Sequence, residues 1–301
     1  MLTYFPYWDI SWLVAVSFTL GSLVWVLNGF FALLPIIDPS SDFPGEVVYG
    51  GGLTAFIGAS IFEIGSILLL LEAVNENRTG CFGWAVDHIF ANDSEEGKRV
   101  GVEPAKEACT HHHQNTSNLV GLPAAAITEE SDPTPEGPRS WTWFPSANEL
   151  RIKFSHEIGF LASFIQLLSA TVFGISGITA LPGIYNNLTP ALLDIWYWTP
   201  QIIGAAGFIT SSLLFMLETQ ARWWRPALGS LGWHIGFWNL IGSVGFFLCP
   251  AFGYDSAAWA QEQAALATFW GSWAFLVGSV VQWFESLEKF PVVVEEKVRR
   301  S

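Results

Sequence analysis

Glu63 lies in an apolar run, Gly52 to Leu71, that holds no other charged residue and is long enough to cross a bilayer. A carboxyl group at that depth must be neutral, paired or beside water, which makes it a candidate for proton or cation chemistry. The competing role is structural, a glutamate hydrogen-bonded to a Ser, Asn or backbone carbonyl. Three further glutamates, Glu72, Glu218 and Glu285, each end an apolar run, fourteen residues after a glycine and ten after a phenylalanine. A ring of three carboxylates around a pseudo-threefold axis is able to attract cations or relay protons at a pore mouth. Alternatively, each glutamate marks the end of its span, solvated or paired with a nearby base such as Arg222 for Glu218 and Lys289 for Glu285.

The glutamates close a longer motif that occurs three times. Its copies are Gly58, Phe62, Gly65, Ser66, Glu72; Gly204, Phe208, Ser211, Ser212, Glu218; and Gly271, Phe275, Gly278, Ser279, Glu285. On a helix these positions fall within an arc of about 120°, so they form one stripe with the glutamate about 21 Å along from the glycine. Small residues on such a stripe let neighbouring backbones approach closely, a main source of helix association in lipid. Glu63 lies about 140° from Gly58, off the stripe, and its equivalents are Ile209 and Leu276.

The elements that must carry these residues are membrane helices. Hydrophobic residues make up 51% of the chain and charged residues only 13%, about half of what a soluble domain carries. Six apolar runs are read at Trp12 to Leu34, Gly52 to Leu71, Ile158 to Leu181, Ile202 to Leu217, Leu231 to Pro250 and Ala265 to Phe284. All thirteen Lys and Arg fall in the second loop, the fourth loop or the C-terminal tail, whereas the loops Pro35 to Gly51, Pro182 to Gln201 and Ala251 to Ala264 hold none. The positive-inside rule therefore predicts that both termini face the cytosol. No cleavable leader is read at the N-terminus, so the first span is expected to stay as a signal anchor.

The predicted fold is all-α and polytopic, three helical hairpins at 1–74, 149–220 and 221–290, with a cytosolic connection at 75–148 and a tail at 291–301. Within the connection, 81–90 is expected to lie along the interface and 92–138 to be disordered. Trp141, Trp143 and Phe144 are expected to bring the chain back to the headgroup region. Arg222, Trp223, Trp224 and Arg225 form a basic and aromatic corner, read as an interfacial anchor or an anionic-lipid site.

His156, Glu157, Gln166, His234, Asn239 and Gln282 lie in or beside spans and either converge as a polar lining or join helices singly. Cys109 with His111, His112 and His113 is too isolated to be assigned a metal, and neither a metal nor another cofactor is expected. Cys81, Cys109 and Cys249 form no disulfide framework. Of the sequons at Asn77, Asn92, Asn115 and Asn187, only Asn187 is placed outside and open to glycosylation. The net charge of −14 is spread over both faces and gives no case for nucleic acid.

The Phe, Gly-Ser and aliphatic pattern at Phe62 to Leu71, Phe208 to Leu217 and Phe275 to Phe284 resembles that of the YrhK-like family of two-span membrane units. The whole chain also resembles six-span integral membrane proteins of filamentous fungi. The resemblance implies a fold of repeated hairpins and carries over no catalytic residue. Mitochondrial carriers are set aside, because Pro35, Pro182 and Pro250 are followed by no basic residue within their loops.

No nucleophile elbow or metal-binding helix is visible, so an enzyme is not expected. The sequence favours a transporter or channel-like protein for a small solute or ion. Its alternative is a membrane scaffold or sensor that recruits cytosolic partners through the 75–148 connection.

Overall fold

The computed structural model describes residues 5–7, 9–75, 102–104, 141–152, 154–287 and 292–294. Six of its helices are long and apolar enough to cross a membrane, which makes the chain an integral membrane protein. They are α1 (Ile10–Ile37), α2 (Gly52–Asn75), α3 (Ile158–Thr179), α4 (Thr199–Glu218), α5 (Leu231–Gly253) and α6 (Ala258–Ser286). In hydrocarbon the backbone must satisfy its own polar groups, and a helix does so within one segment. Outside them, short helices cover Ala147–Ile152, Phe154–His156, Pro182–Tyr185 and Pro190–Leu193, and Val102–Pro104 pairs antiparallel with Val292–Val294.

Each spanning helix packs on its neighbours in sequence, and α6 returns to pack on α1. The bundle is thus a closed ring of three hairpins. Within a hairpin the stripe of small residues on the even helix faces the odd one. A Cβ on Gly58 would stand 2.8 Å from Trp25 Nε1, and one on Gly204 would stand 2.8 Å from both the Ser169 carbonyl oxygen and Phe173 Cβ. A Cβ on Gly271 would stand 3.1 Å from the Gly242 carbonyl oxygen, and one on Gly65 or Gly278 would meet Phe18 or Asn239. At Ser211, the copy that departs from glycine, the hydroxyl donates to the Ala162 carbonyl across the hairpin at 2.9 Å. The Ser66 hydroxyl is buried and donates to Phe62 O at 2.8 Å.

Several helix ends differ from the hydropathy reading. Helix α6 starts at Ala258, seven residues before the apolar run, because Ala-Trp-Ala-Gln-Glu-Gln-Ala is a good helix former although polar. Gln261 in that extension donates from Nε2 to the Asp255 carbonyl at 2.6 Å, tying the turn to α6. Helix α1 continues past Pro35 to Ile37, since proline so near a C-terminus removes one hydrogen bond. Part of the expected loop from Pro182 to Gln201 is helical: a wide turn at Asp194–Trp198 leads into α4, as Glu46–Gly51 leads into α2.

Trp141 packs into the core at the end of α2 and is 8% exposed, whereas Phe144 is 91% exposed. The buried Asn75 at the end of α2 holds this returning segment, donating to the Thr142 carbonyl and accepting from the Thr142 N–H at 2.9 and 2.8 Å. The expected interfacial stretch, most of the 92–138 segment, Cys81, Cys109, the three adjacent histidines and the sequons at Asn77, Asn92 and Asn115 lie outside the described residues. Asn187 is exposed on the face of the short connections, its side chain donating to Gly183 O at 2.8 Å.

Candidate functional site

The motif phenylalanines meet at the centre of the ring. Phe62 packs edge-on to Phe275 with ring centroids 5.6 Å apart, and Phe208 lies 5.9 Å from Phe173. Three aromatics from the odd helices complete the layer, with Trp25 5.8 Å from Phe173, Trp25 4.9 Å from Phe246 and Phe173 5.8 Å from Phe246. These six rings leave a void of about 10 Å³, no more than a single water needs. The layer is apolar and filled, which makes it a barrier across the middle of the bundle.

On the glutamate side of this layer the ring opens into a cavity of about 130 Å³, to which all six helices contribute. Its floor is Phe18, Phe62 and Phe275. Its outer rim holds Glu72, Glu218 and Glu285, brought to one chamber because each motif aims its stripe inward. The facing positions on the odd helices are small, Ser11, Gly159 and Gly232, and leave room for the carboxyl groups. At Gly159 a Cβ would collide with the Glu218 carboxylate. The Ser11 hydroxyl donates to Glu72 Oε1 in a short hydrogen bond.

Between rim and floor the wall is uneven. Helices α3 to α6 supply the amides Gln166, Asn239 and Gln282 and the hydroxyls Ser163, Ser212 and Ser279 beside Phe215 and Ile235, whereas the α1–α2 third supplies Leu69 and Ala73. One polar group on that third is Ser22, which is fully buried and lines the cavity. Its Oγ has no hydrogen-bond partner. A helical serine in hydrocarbon normally bonds back one turn, as Ser243 does to the Asn239 carbonyl at 2.7 Å.

Glu63 is not among the cavity-lining residues. Its Oε1 accepts from the Thr171 hydroxyl at 2.8 Å across the α2–α3 contact, and its Oε2 is buried without a partner. His156 and His234 also stay out of the chamber: His156 Nδ1 pairs with Ser155 Oγ at 3.0 Å and His234 Nε2 with Leu228 O at 2.8 Å. Arg222 lies over the Trp224 ring at 5.5 Å, beside the exposed Trp223, and among the described residues no ion pair joins it to Glu218. Lys289 lies outside the described residues. On the opposite face Asp38 is exposed, and hydrogen bonds from the Ser40 hydroxyl and N–H hold its carboxyl below the usual range.

The sequence reading missed Ser22, Trp25, Phe173 and Phe246, although the odd helices carry a signal of their own: two small residues followed three places on by an aromatic, at Gly21, Ser22, Trp25; Ser169, Ala170, Phe173; and Gly242, Ser243, Phe246. Among the described residues no group of three His, Cys, Asp or Glu side chains converges closely enough to hold a metal ion. No family model matches the chain, and neither a curated protein nor a solved structure does.

Proposed function

We propose that the protein moves a small solute or ion across its membrane, with the central cavity as the binding chamber and the aromatic layer as the barrier that must part. One observation carries this reading: a chamber rimmed by carboxylates, with amides and hydroxyls set among apolar side chains, lies inside a closed ring of six apolar helices. Polar groups in hydrocarbon are costly unless they serve packing or line a water-filled space, and here they line a space. The distribution of basic residues puts the glutamate end toward the cytosol, so the chamber is read as cytosol-facing and closed on the other side. The equivalent places taken by the motif copies support reading the hairpins as three YrhK-like units.

The test introduces single cysteines at Ser163, Ser212, Ser279 and Ala59 in a background lacking Cys81, Cys109 and Cys249. Membrane-impermeant thiol reagents are then applied from each side. Labelling at the cavity positions from the cytosolic side, with Ala59 protected, is expected. Protection of every cavity position in folded protein would end the transport reading and leave the scaffold role of the 75–148 connection. Deleting Asn92 to Pro138 separates the two again, because a transporter keeps its flux and a scaffold loses its partners.

A further inference from the structure

We propose that the chamber binds a small neutral polyol, a proposal that rests on the chamber being open to water as read above. Its polar wall is unsatisfied. Among the described residues the side-chain amides of Gln166, Asn239 and Gln282 line the cavity with no hydrogen-bond partner in the protein. Amides elsewhere in the bundle are paired, Asn28 donating to Gly51 O at 2.7 Å and Gln201 to Ser176 Oγ at 2.8 Å. A fourth group is Ser212, only 3% exposed, whose hydroxyl also lacks a partner and opens onto the cavity. The equivalent serines bond back to their own helices, Ser66 to Phe62 O at 2.8 Å and Ser279 to Leu276 O at 3.0 Å. Polar groups left unbonded inside a membrane bundle are costly, so these four are satisfied by what fills the cavity.

Packing brings the four to one level. Ser211, beside Ser212, donates to the Ala162 carbonyl, and a Cβ on Gly236 would stand 3.3 Å from the Ser212 carbonyl oxygen. Gln166 and Asn239 follow those contacts by about one turn, on the two helices that flank α4. Gln282 lies one turn nearer the rim than Gly278, where a Cβ would stand 2.9 Å from Asn239 Oδ1. Helical side chains lean toward the N-terminus of their helix. Those of Gln166 and Asn239 therefore lean to the rim and those of Ser212 and Gln282 away from it, which draws the polar ends together.

The class of solute follows from the donors and acceptors at that level. No Lys, Arg or His lines the chamber and carboxylates stand at its rim, which disfavours an anion. A metal or alkali cation engages oxygens only and would leave the N–H groups of all three amides unmet. A hydroxyl both donates and accepts, so a polyol satisfies both ends of each amide together with the Ser212 oxygen. The other side of the chamber answers with carbon, because the polar residues break the threefold pattern. Where α3 and α5 carry Gln166 and Asn239, α1 carries Phe18; where α6 carries Gln282, α2 and α4 carry Leu69 and Phe215. A few convergent polar groups against an apolar wall are the usual lining of a small-molecule site. The volume of about 130 Å³ is close to the roughly 150 Å³ that accommodates benzene, which leaves room for about six non-hydrogen atoms, the size of glycerol.

The experiment follows the rate at which an impermeant thiol reagent labels Ser163→Cys in the full chain lacking Cys81, Cys109 and Cys249, as glycerol is added. Saturable protection by glycerol is expected, with none from sucrose at equal osmolality, which is too large to enter, and none from KCl or methylammonium chloride. Losing one hydrogen-bonding group should weaken glycerol about tenfold in Asn239→Leu and Gln282→Leu and about threefold in Ser212→Ala. Gln282→Leu installs the residue that α2 carries at this place, so it keeps the test decisive if Asn239→Leu does not fold. Glu218→Gln should change glycerol protection less than twofold, because a neutral solute does not need the rim charge. Labelling that glycerol leaves unchanged would mean a chamber holding water only and overturn this inference alone. Equal protection by sucrose, K⁺ or methylammonium, loss of protection in Glu218→Gln, or affinity unchanged in both leucine variants would overturn it as well. No labelling of Ser163→Cys in folded protein overturns the reading beneath it.

Discussion

The hydroxyl of Thr171 donates to Glu63 Oε1 at 2.8 Å, so the one carboxyl group near the bilayer middle fastens α3 to α2 outside the central cavity. Interhelical hydrogen bonds in membranes contribute about 0.6 kcal/mol on average and up to about 2. Thr171→Val is therefore expected to lower stability by that amount, read by thermal unfolding in detergent. Glu63→Gln keeps an acceptor for Thr171 and should leave both stability and flux near wild type. A Glu63→Gln protein that folds but carries no flux would show that the carboxyl titrates in transport and return it to the mechanism.

Close approach within hairpins sets a second expectation. Gly204→Ala places a methyl 2.8 Å from the Ser169 carbonyl oxygen, a backbone atom that cannot swing aside. Overpacking of this kind costs about 1–3 kcal/mol. Gly174, with no atom within 4 Å of a built Cβ, is the matched control, and Gly174→Ala should be neutral or stabilising by up to about 1 kcal/mol. Equal effects at the two glycines in an unfolding assay would contradict this account of the stripe.

The aromatic layer predicts a leak. Phe208 is buried against Phe173, and Phe208→Ala removes a ring from a barrier whose residual void is about 10 Å³. Proteoliposomes carrying this variant should show several-fold faster ion entry than wild type, followed with an internal dye. Phe208→Leu should fall between them. Leak at the empty-liposome level in folded Phe208→Ala would mean that the layer is core packing and not a gate.

Asn75 is the anchor of the returning chain. Asn75→Ala would leave both Thr142 backbone groups without that partner, a loss of about 1–3 kcal/mol. The effect should be local. Protease cleavage near Thr142 is expected to rise while unfolding of the spanning helices shifts little; unchanged cleavage would assign the hold to Trp141 instead.

The exposed corner Arg222, Trp223, Trp224 and Arg225 predicts lipid dependence. Substituting both arginines by glutamine should weaken association with anionic liposomes and leave neutral ones unaffected, because each basic residue at a charged surface contributes about 1 kcal/mol. Equal binding to both membranes would reduce the corner to an aromatic anchor.

Hydropathy alone located all six spans, because a helix in lipid needs a length of apolar residues whatever it packs against. The motif spacing placed small residues on one stripe and the glutamates at one end, since both depend only on helical periodicity. It did not reveal that α6 closes on α1, nor that Gln166, Asn239 and Gln282 share a chamber with Ser22. In a membrane the lipid-facing side is as apolar as the core: Leu20, Leu23 and Leu27 are exposed on α1, while Phe18 and Trp25 on the same helix are buried. Periodicity of hydrophobicity therefore fails to separate inside from outside. Only the packing of six helices into a ring decided which polar side chains face one another and which, like Glu63, pair across a single helix contact.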